Sequence, residues 1–278
     1  MIDFNRVRHV VLDMDGTLYS GARLFVQTVP FLEGLRSMGI GYTFLTNNTS
    51  RSKADYVKKL RGLGIEAREF EIYTPAESTI KYLRNCLPHA NALALLGTPS
   101  LVQEFVEAGF VVSWDAPEVV VVGFDTTVTY ERLCRAAYWI SSGLPFLATH
   151  PDLVCPTDEP TVLVDCGSLC ACLTAATGRQ PIVFGKPSPS ILLELRDRLH
   201  LASDELIMVG DRIYTDMKMA REAGIPAALV LTGETTAAQA AELCEKPEVI
   251  VADVGQLGEL LADARHNRVV NRRPALLD

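Results

Sequence analysis

Short apolar runs that stop abruptly at polar residues recur along this chain, separated by segments whose apolar positions repeat every three or four residues. The first run, Val10-Val11-Leu12, has no helical spacing and reads as a strand buried on both faces, ending at Asp13. Residues 19–27 are mixed and polar around Gly21, which suits a loop or small flap. A helix is predicted from Val29 to Met38, with Phe31, Leu32 and Leu35 on one face and Gly39 as its stop. The next run, Tyr42 to Leu45, ends in Thr46-Asn47-Asn48. Two strands joined by a helix, each closing on polar residues, form the βαβ pattern of a parallel sheet with its site at the strand ends.

The alternation continues. Helical spacing covers 51–63, with Tyr56, Val57, Leu60 and Leu63 in phase, and again 75–85 after the short run Ile72-Tyr73-Thr74. From about residue 80 to 182 a second course follows. Its strands are predicted at Leu93–Leu96, Val119–Val122 and Phe146–Ala148, and its helices near Leu101–Ala108, Tyr130–Ile140 and Ser168–Ala176. A third course opens at Ile182-Val183-Phe184 and carries a helix from Pro189 to Leu199. It continues with the strand Leu206–Val209, further strands at Ala227–Leu231 and Val249–Val251, and helices at Ala237–Cys244 and Val254–Leu261. No Ser- or Gly-rich linker marks a boundary, so the middle course reads as an insertion. The expected organisation is a doubly wound parallel α/β sheet, Rossmann-like, built from 1–79 and 183–278, with 80–182 as an inserted α/β domain.

Composition changes this picture little. The 278 residues are 48 % hydrophobic and 22 % charged, ordinary for a globular protein with a substantial core. A net charge of -8 argues against a nucleic-acid polymer as partner, since backbone affinity comes from clustered Lys and Arg. The start, Met-Ile-Asp-Phe-Asn-Arg, lacks the pattern of a secretory signal, and no apolar stretch is long enough to span a bilayer. A cytoplasmic protein with no membrane partner is the expectation. Seven cysteines, an odd number, suit reduced thiols, and Cys166, Cys170 and Cys172 fit helix packing better than a metal site because no matching Cys or His pair is nearby. Arg265, Arg268, Arg272 and Arg273 suggest a solvated tail.

Chemistry concentrates at the strand ends: Asp13 with Asp15, Thr46 with Asn47, Lys186, and Asp211 with Asp216. Each has an ordinary alternative, as a turn former, a helix cap or a surface Lys. All four together, each after an apolar strand, are hard to ascribe to coincidence. Two familiar phosphate motifs fail here. Gly62-x-Gly64-x-x-Ala67 ends a helix where a dinucleotide fingerprint must begin one, and Gly185-Lys186 has Gln180 where a phosphate loop needs Gly. Four carboxylates and a Lys suit a hard cation and a phosphate, and Mg2+ is the ion expected.

These residues resemble the haloacid dehalogenase superfamily. Asp13-Met-Asp15-Gly-Thr17, Thr46, Lys186 and Gly210-Asp211-x-x-x-x-Asp216 match its four motifs. Thr46-Asn47-Asn48, the long insertion and Gly185-Lys-Pro-Ser188 are similar to the branch holding p-nitrophenyl phosphatases and ribonucleotide monophosphatases. The resemblance implies that the insertion is a cap and that the substrate is a small phosphate ester. It further implies that Asp13 is the nucleophile and that Asp15 is the general acid and then base. Magnesium would be held by Asp13, Asp211 and the main-chain carbonyl of Asp15, and the phosphoryl oxygens by Thr46, Asn47 and Lys186. Asp216 would position Lys186 or a metal-bound water, and relatives pair through their caps as homodimers. Asp15 favours ester cleavage over dehalogenation, which needs no acid. His150 and Asp152, where the branch often carries Asn before Pro-Asp, are expected specificity residues. A phosphotransferase, or a phospho-receiver without turnover, would share much of this residue set.

Overall fold

The computed structural model describes residues 2–155 and 160–271, with side chains as far as Asn267. It divides into two compact units, Met1–Leu45 with Gly62–Ile65 and Pro189–Asp278, and Thr46–Arg61 with Glu66–Ser188. Residues 46–61 and 66–79 thus fall with the inserted course rather than with the segments that flank it.

The first unit is built on parallel strands in the order Val249–Val251, Ala227–Val230, Leu206–Gly210, His9–Asp13, Gly41–Leu45. The central strand, His9–Asp13, is buried along its whole length, as its continuous apolar run requires. It registers His9 with Leu206 on one side and with Gly41 on the other. The chain leaves this strand in one direction through the helix Thr28–Ser37 and later returns to its other side, so strand order reverses there. Such a reversal leaves a crevice at the carboxyl ends of the two neighbouring strands. Asp13 and Asp211 stand at those ends.

The second unit has its own parallel sheet, in the order Ile182–Val183, Phe146–Ala148, Val119–Val122, Ala92–Leu96, Val111–Val112. Val119–Val122 is its fully buried spine. Helices Tyr130–Ser141 and Cys166–Thr177 cover one face through Ala136, Ile140, Leu169 and Leu173, and Pro75–Cys86 and Pro99–Glu107 supply Leu83, Leu101 and Phe105 to the other. Both faces are covered, which is why these strands read as unbroken apolar runs.

Several expectations need correction. Ile182–Val183, expected to open the third course of the first sheet, pairs instead with Leu147 and Ala148 of the second. It is an edge strand with both side chains half exposed, so its composition carried no sign of which sheet it would join. The arginine-rich end is no solvated tail at Arg265. The helix Val254–Asn271 runs ten residues past its expected stop, and Arg265 donates hydrogen bonds to the carbonyls of Val7 (2.7 Å) and Met38. Arg272 and Arg273 lie outside the described residues. Residues 19–24 form a small antiparallel hairpin, Tyr19–Ser20 with Arg23–Leu24, and another, Val154–Cys155 with Leu163–Val164, was not anticipated. Cys166 and Cys170 are buried in the core and Cys172 is exposed. No helix among the described residues is long and apolar enough to cross a membrane.

Candidate active site

In the first unit the His9–Asp13 strand ends abruptly between two neighbouring carboxylates, and the chain turns before the second. Asp13 is buried and Asp15 is exposed. A tight turn follows, with Leu18 N–H donating to the Met14 carbonyl (2.9 Å) and Gly16 N–H to the Tyr19 carbonyl (2.8 Å). Gly16 makes that turn at φ +90°, and a Cβ there would lie 2.5 Å from Asp211 Oδ2. Thr17 Oγ1 donates to Asp13 Oδ2 at 3.3 Å.

Asp211 follows the strand Leu206–Gly210 and Asp216 lies within a π-helical turn, Ile213–Met217. That wide turn aims Asp216 back at the strand end, where its Oδ2 accepts from Arg212 N–H at 3.2 Å. Oxygens of Asp13, Asp211 and Asp216 all lie within 4.8 Å of one another, and all three residues are buried. Asp216 therefore stands among the carboxylates expected to hold the cation. A loop from the next strand closes over the group. Glu234 N–H donates to Asp211 Oδ2 (2.6 Å), Thr235 N–H to the Asp211 carbonyl (3.2 Å) and Thr232 Oγ1 to the Gly16 carbonyl (2.6 Å). Gly233 is needed in that loop because a Cβ would fall 2.0 Å from Asp211 Oδ2.

Two ionised carboxylates at this separation repel by about 3 kcal/mol at an effective dielectric constant of about 20. Arg212 answers part of that charge. Burial works to lower its pKa, yet the carboxylates of Glu234, Asp13, Asp211 and Asp216 hold it above the usual value, and its Nε lies 3.0 Å from Glu234 Oε2. Three oxygen donors packed by glycines suit a small hard cation such as Mg2+. Sequence reading missed Arg212, Thr232, Gly233 and Glu234, although Arg212 directly follows a motif residue.

The second unit carries Thr46, Asn47, Lys186, His150 and Asp152, of which all but Asp152 are buried. Thr46 Oγ1 accepts from Asn48 N–H at 3.1 Å. Asn47 Nδ2 donates to the Lys186 carbonyl (2.9 Å) and to Asp152 Oδ1 (3.1 Å), while Lys186 N–H donates to Asn47 Oδ1 (2.7 Å). Gly185, at φ +75°, permits this approach, since a Cβ there would sit 2.7 Å from Asn47 Oδ1. His150 is enclosed by Asp152, Asp165 and Thr49. Asp165 was not expected at the site. It also caps the helix Cys166–Thr177, accepting from Cys166 N–H at 2.6 Å.

Comparison with known proteins shows the family to which the chain is similar. Residues 10–111 match the model of haloacid dehalogenase-like hydrolases, and residues 183–257 match a second HAD-hydrolase-like model. The chain is 32 % identical to the 5'-nucleotidase YutF of Bacillus subtilis, over 85 % of this chain and 92 % of that one. Among solved structures, 4-nitrophenylphosphatase from Thermotoga maritima superposes with a TM-score of 0.88 at 36 % identity, over 93 % of this chain and 99 % of that one. Glycerol phosphate phosphatase from Mycobacterium tuberculosis, solved in complex with magnesium, gives 0.84 at 31 %, over 93 % and 79 %.

Proposed function

This chain belongs to the haloacid dehalogenase-like hydrolases, and on that premise we propose that it is a magnesium-dependent phosphatase of small phosphate monoesters, working through an aspartyl phosphate on Asp13. The observation that carries the proposal is the buried set Asp13, Asp211 and Asp216 at the strand-order reversal. Asp13, Asp211 and the main-chain carbonyl of Asp15 would hold Mg2+, with Asp216 beside them. When bound, the ion offsets the repulsion between nucleophile and phosphate.

The rest is work for this chain's own side chains. Asp13, kept in place by Thr17, attacks phosphorus with a carboxylate oxygen as the bond to the leaving alcohol breaks. Asp15 gives that alcohol a proton; its exposed position, just past the end of the strand that buries Asp13, suits it to a proton carrier. In the second half Asp15 takes a proton from water, water attacks phosphorus, and the Asp13 carboxylate is released. Thr46, Asn47 and Lys186 are assigned to the phosphoryl oxygens, where fixed donors stabilise changing charge. The inserted segment is assigned the role of a cap over the leaving group.

Replacement of Asp13 by Asn tests the proposal. Hydrolysis of p-nitrophenyl phosphate should fall at least about a thousandfold, a loss of about 4 kcal/mol of transition-state stabilisation, with circular dichroism unchanged. Retention of most magnesium-dependent activity would sink the nucleophile assignment. Competition between water and an added alcohol separates phosphatase from phosphotransferase.

A further inference from the structure

His150 is a titratable side chain outside the carboxylate set with no solvent exposure. Its Nδ1 lies 3.6 Å from Asp152 Oδ2, and its Nε2 lies 3.4 Å from Asp165 Oδ1 and 3.3 Å from Thr49 Oγ1. A neutral imidazole offers one N–H and one lone pair. A neutral ring can point its single N–H at only one of the two carboxylates, whereas the doubly protonated ring points one at Asp152 and one at Asp165.

We propose that His150 is a positioning residue, a buried imidazolium whose hold on Asp152 and Asp165 orients Asn47 and, through it, the main chain of Lys186. The inference rests on the reading of Asn47 and Lys186 as phosphoryl-holding groups. Asp152 uses its two oxygens separately, Oδ2 toward His150 and Oδ1 as acceptor of the Asn47 Nδ2 hydrogen. A carboxylate can only accept, so the nitrogen end of the Asn47 amide must face it, which leaves the oxygen end for Lys186 N–H. On the other side, Asp165 is tied to the first turn of a twelve-residue helix. The chain of contacts therefore runs from a helix end, through the imidazole, to the lysine's backbone.

The charged and titratable groups facing His150 are Asp152 on its own loop, Asp165 and Cys166 at the helix start, and Lys186 acting on Asp152. Burial works against the charged ring, but Cys166, Asp152 and Asp165 outweigh it and hold the pKa at about 9. Burial also works to raise the pKa of Asp152, and the His150 contact, Asn47 and Lys186 keep it below the usual carboxylate range. Asp165 is held above that range by burial against the pull of His150. Asp152 is accordingly the principal anionic partner.

Nitrogen-15 NMR of the uniformly labelled wild type, with the His150 signals assigned by their loss in His150→Gln, reads the charge directly. Both ring nitrogens should carry protons from pH 6 to 8, and a single neutral tautomer at pH 7.5 overturns the inference. Kinetics with p-nitrophenyl phosphate, and competition by inorganic phosphate, read the consequence. His150→Gln should raise KM and the phosphate inhibition constant about tenfold while kcat falls less than threefold, and the wild-type rise in KM above pH 9 should vanish. A lowered melting temperature with unchanged KM would mark a merely structural histidine and also overturns it. If His150→Gln does not fold, Asp152→Asn takes its place, with the same KM rise expected and an unchanged KM counting against the inference. Asn47→Ala separates the two levels. If it leaves KM unchanged, the phosphoryl-holding reading falls and this role falls with it. If it raises KM and neither replacement in the His150–Asp152 pair does, only the positioning role is overturned.

Discussion

Asn47 grips the main chain of Lys186 from both sides, donating to its carbonyl at 2.9 Å and accepting from its N–H at 2.7 Å. A side-chain amide used in this way exchanges two hydrogen bonds with a single residue, as a hydrogen-bonded pair of an antiparallel ladder does, and joins residues that are 139 positions apart in sequence. Gly185 leaves room for it, and the buried Lys186 stem has little freedom once its backbone is held.

Removal of that grip should weaken phosphate binding more than chemistry. Asn47→Ala is expected to raise KM for p-nitrophenyl phosphate about tenfold, the loss of roughly 1.4 kcal/mol that one or two net hydrogen bonds supply. Steady-state kinetics at fixed magnesium measures it, and kcat falling with no change in KM would contradict the assignment.

The carboxylate set should announce its cation without any turnover. Wild-type melting temperature should rise with MgCl2, because an ion that binds only the folded state stabilises it by mass action. Asp216→Asn keeps the volume and removes one charge, so the concentration needed for half the shift should increase at least about tenfold, worth about 1.4 kcal/mol. An identical magnesium titration for both proteins would place Asp216 outside the binding set.

Acid stability should depend on His9. Its Nε2 pairs with Thr43 Oγ1 at 2.9 Å inside the first sheet, and burial, reinforced by Arg198, lowers its pKa to about 4. The unfolded chain takes up this proton near pH 6.5 and the folded one only near pH 4. Unfolding is therefore favoured as pH falls through that window, while above pH 6.5 the group has no effect. His9→Gln should remove on the order of 2–3 kcal/mol of the pH dependence between pH 6.5 and 4. Urea denaturation at the two pH values reads it, and parallel pH profiles for the two proteins would refute it.

Arg265 should matter to stability although it lies far from the carboxylates in sequence. Its guanidinium caps the Val7 and Met38 carbonyls, one preceding the central strand and the other at the end of Thr28–Ser37. Arg265→Met keeps the apolar stem and loses both charge-assisted bonds, at an expected cost of about 1.5–3 kcal/mol. Chemical denaturation should show a lower midpoint with an unchanged slope; an unchanged midpoint would show the contacts to be energetically idle.

Asp13, Asp15, Asp211, Thr46 and Asn47 were legible in the sequence because each follows a continuous apolar run, and the end of such a run is where a buried parallel strand delivers its next side chain. Repeating strands and helices also made the α/β class plain, since periodicity records how each residue is buried. Periodicity is silent about which strand lies beside which. Ile182–Val183 joined the second sheet on the strength of hydrogen bonds to Leu147 and Ala148, and no local property of two half-exposed β-branched residues distinguishes that edge from another. Tertiary structure alone decided that Asp216 turns back toward Asp13 and Asp211, that Asp165 meets His150, and that Arg265 reaches Val7. Those are meetings between groups distant along the chain or redirected by an irregular turn. Their energies depend on distance and burial in three dimensions, quantities that composition and spacing do not contain.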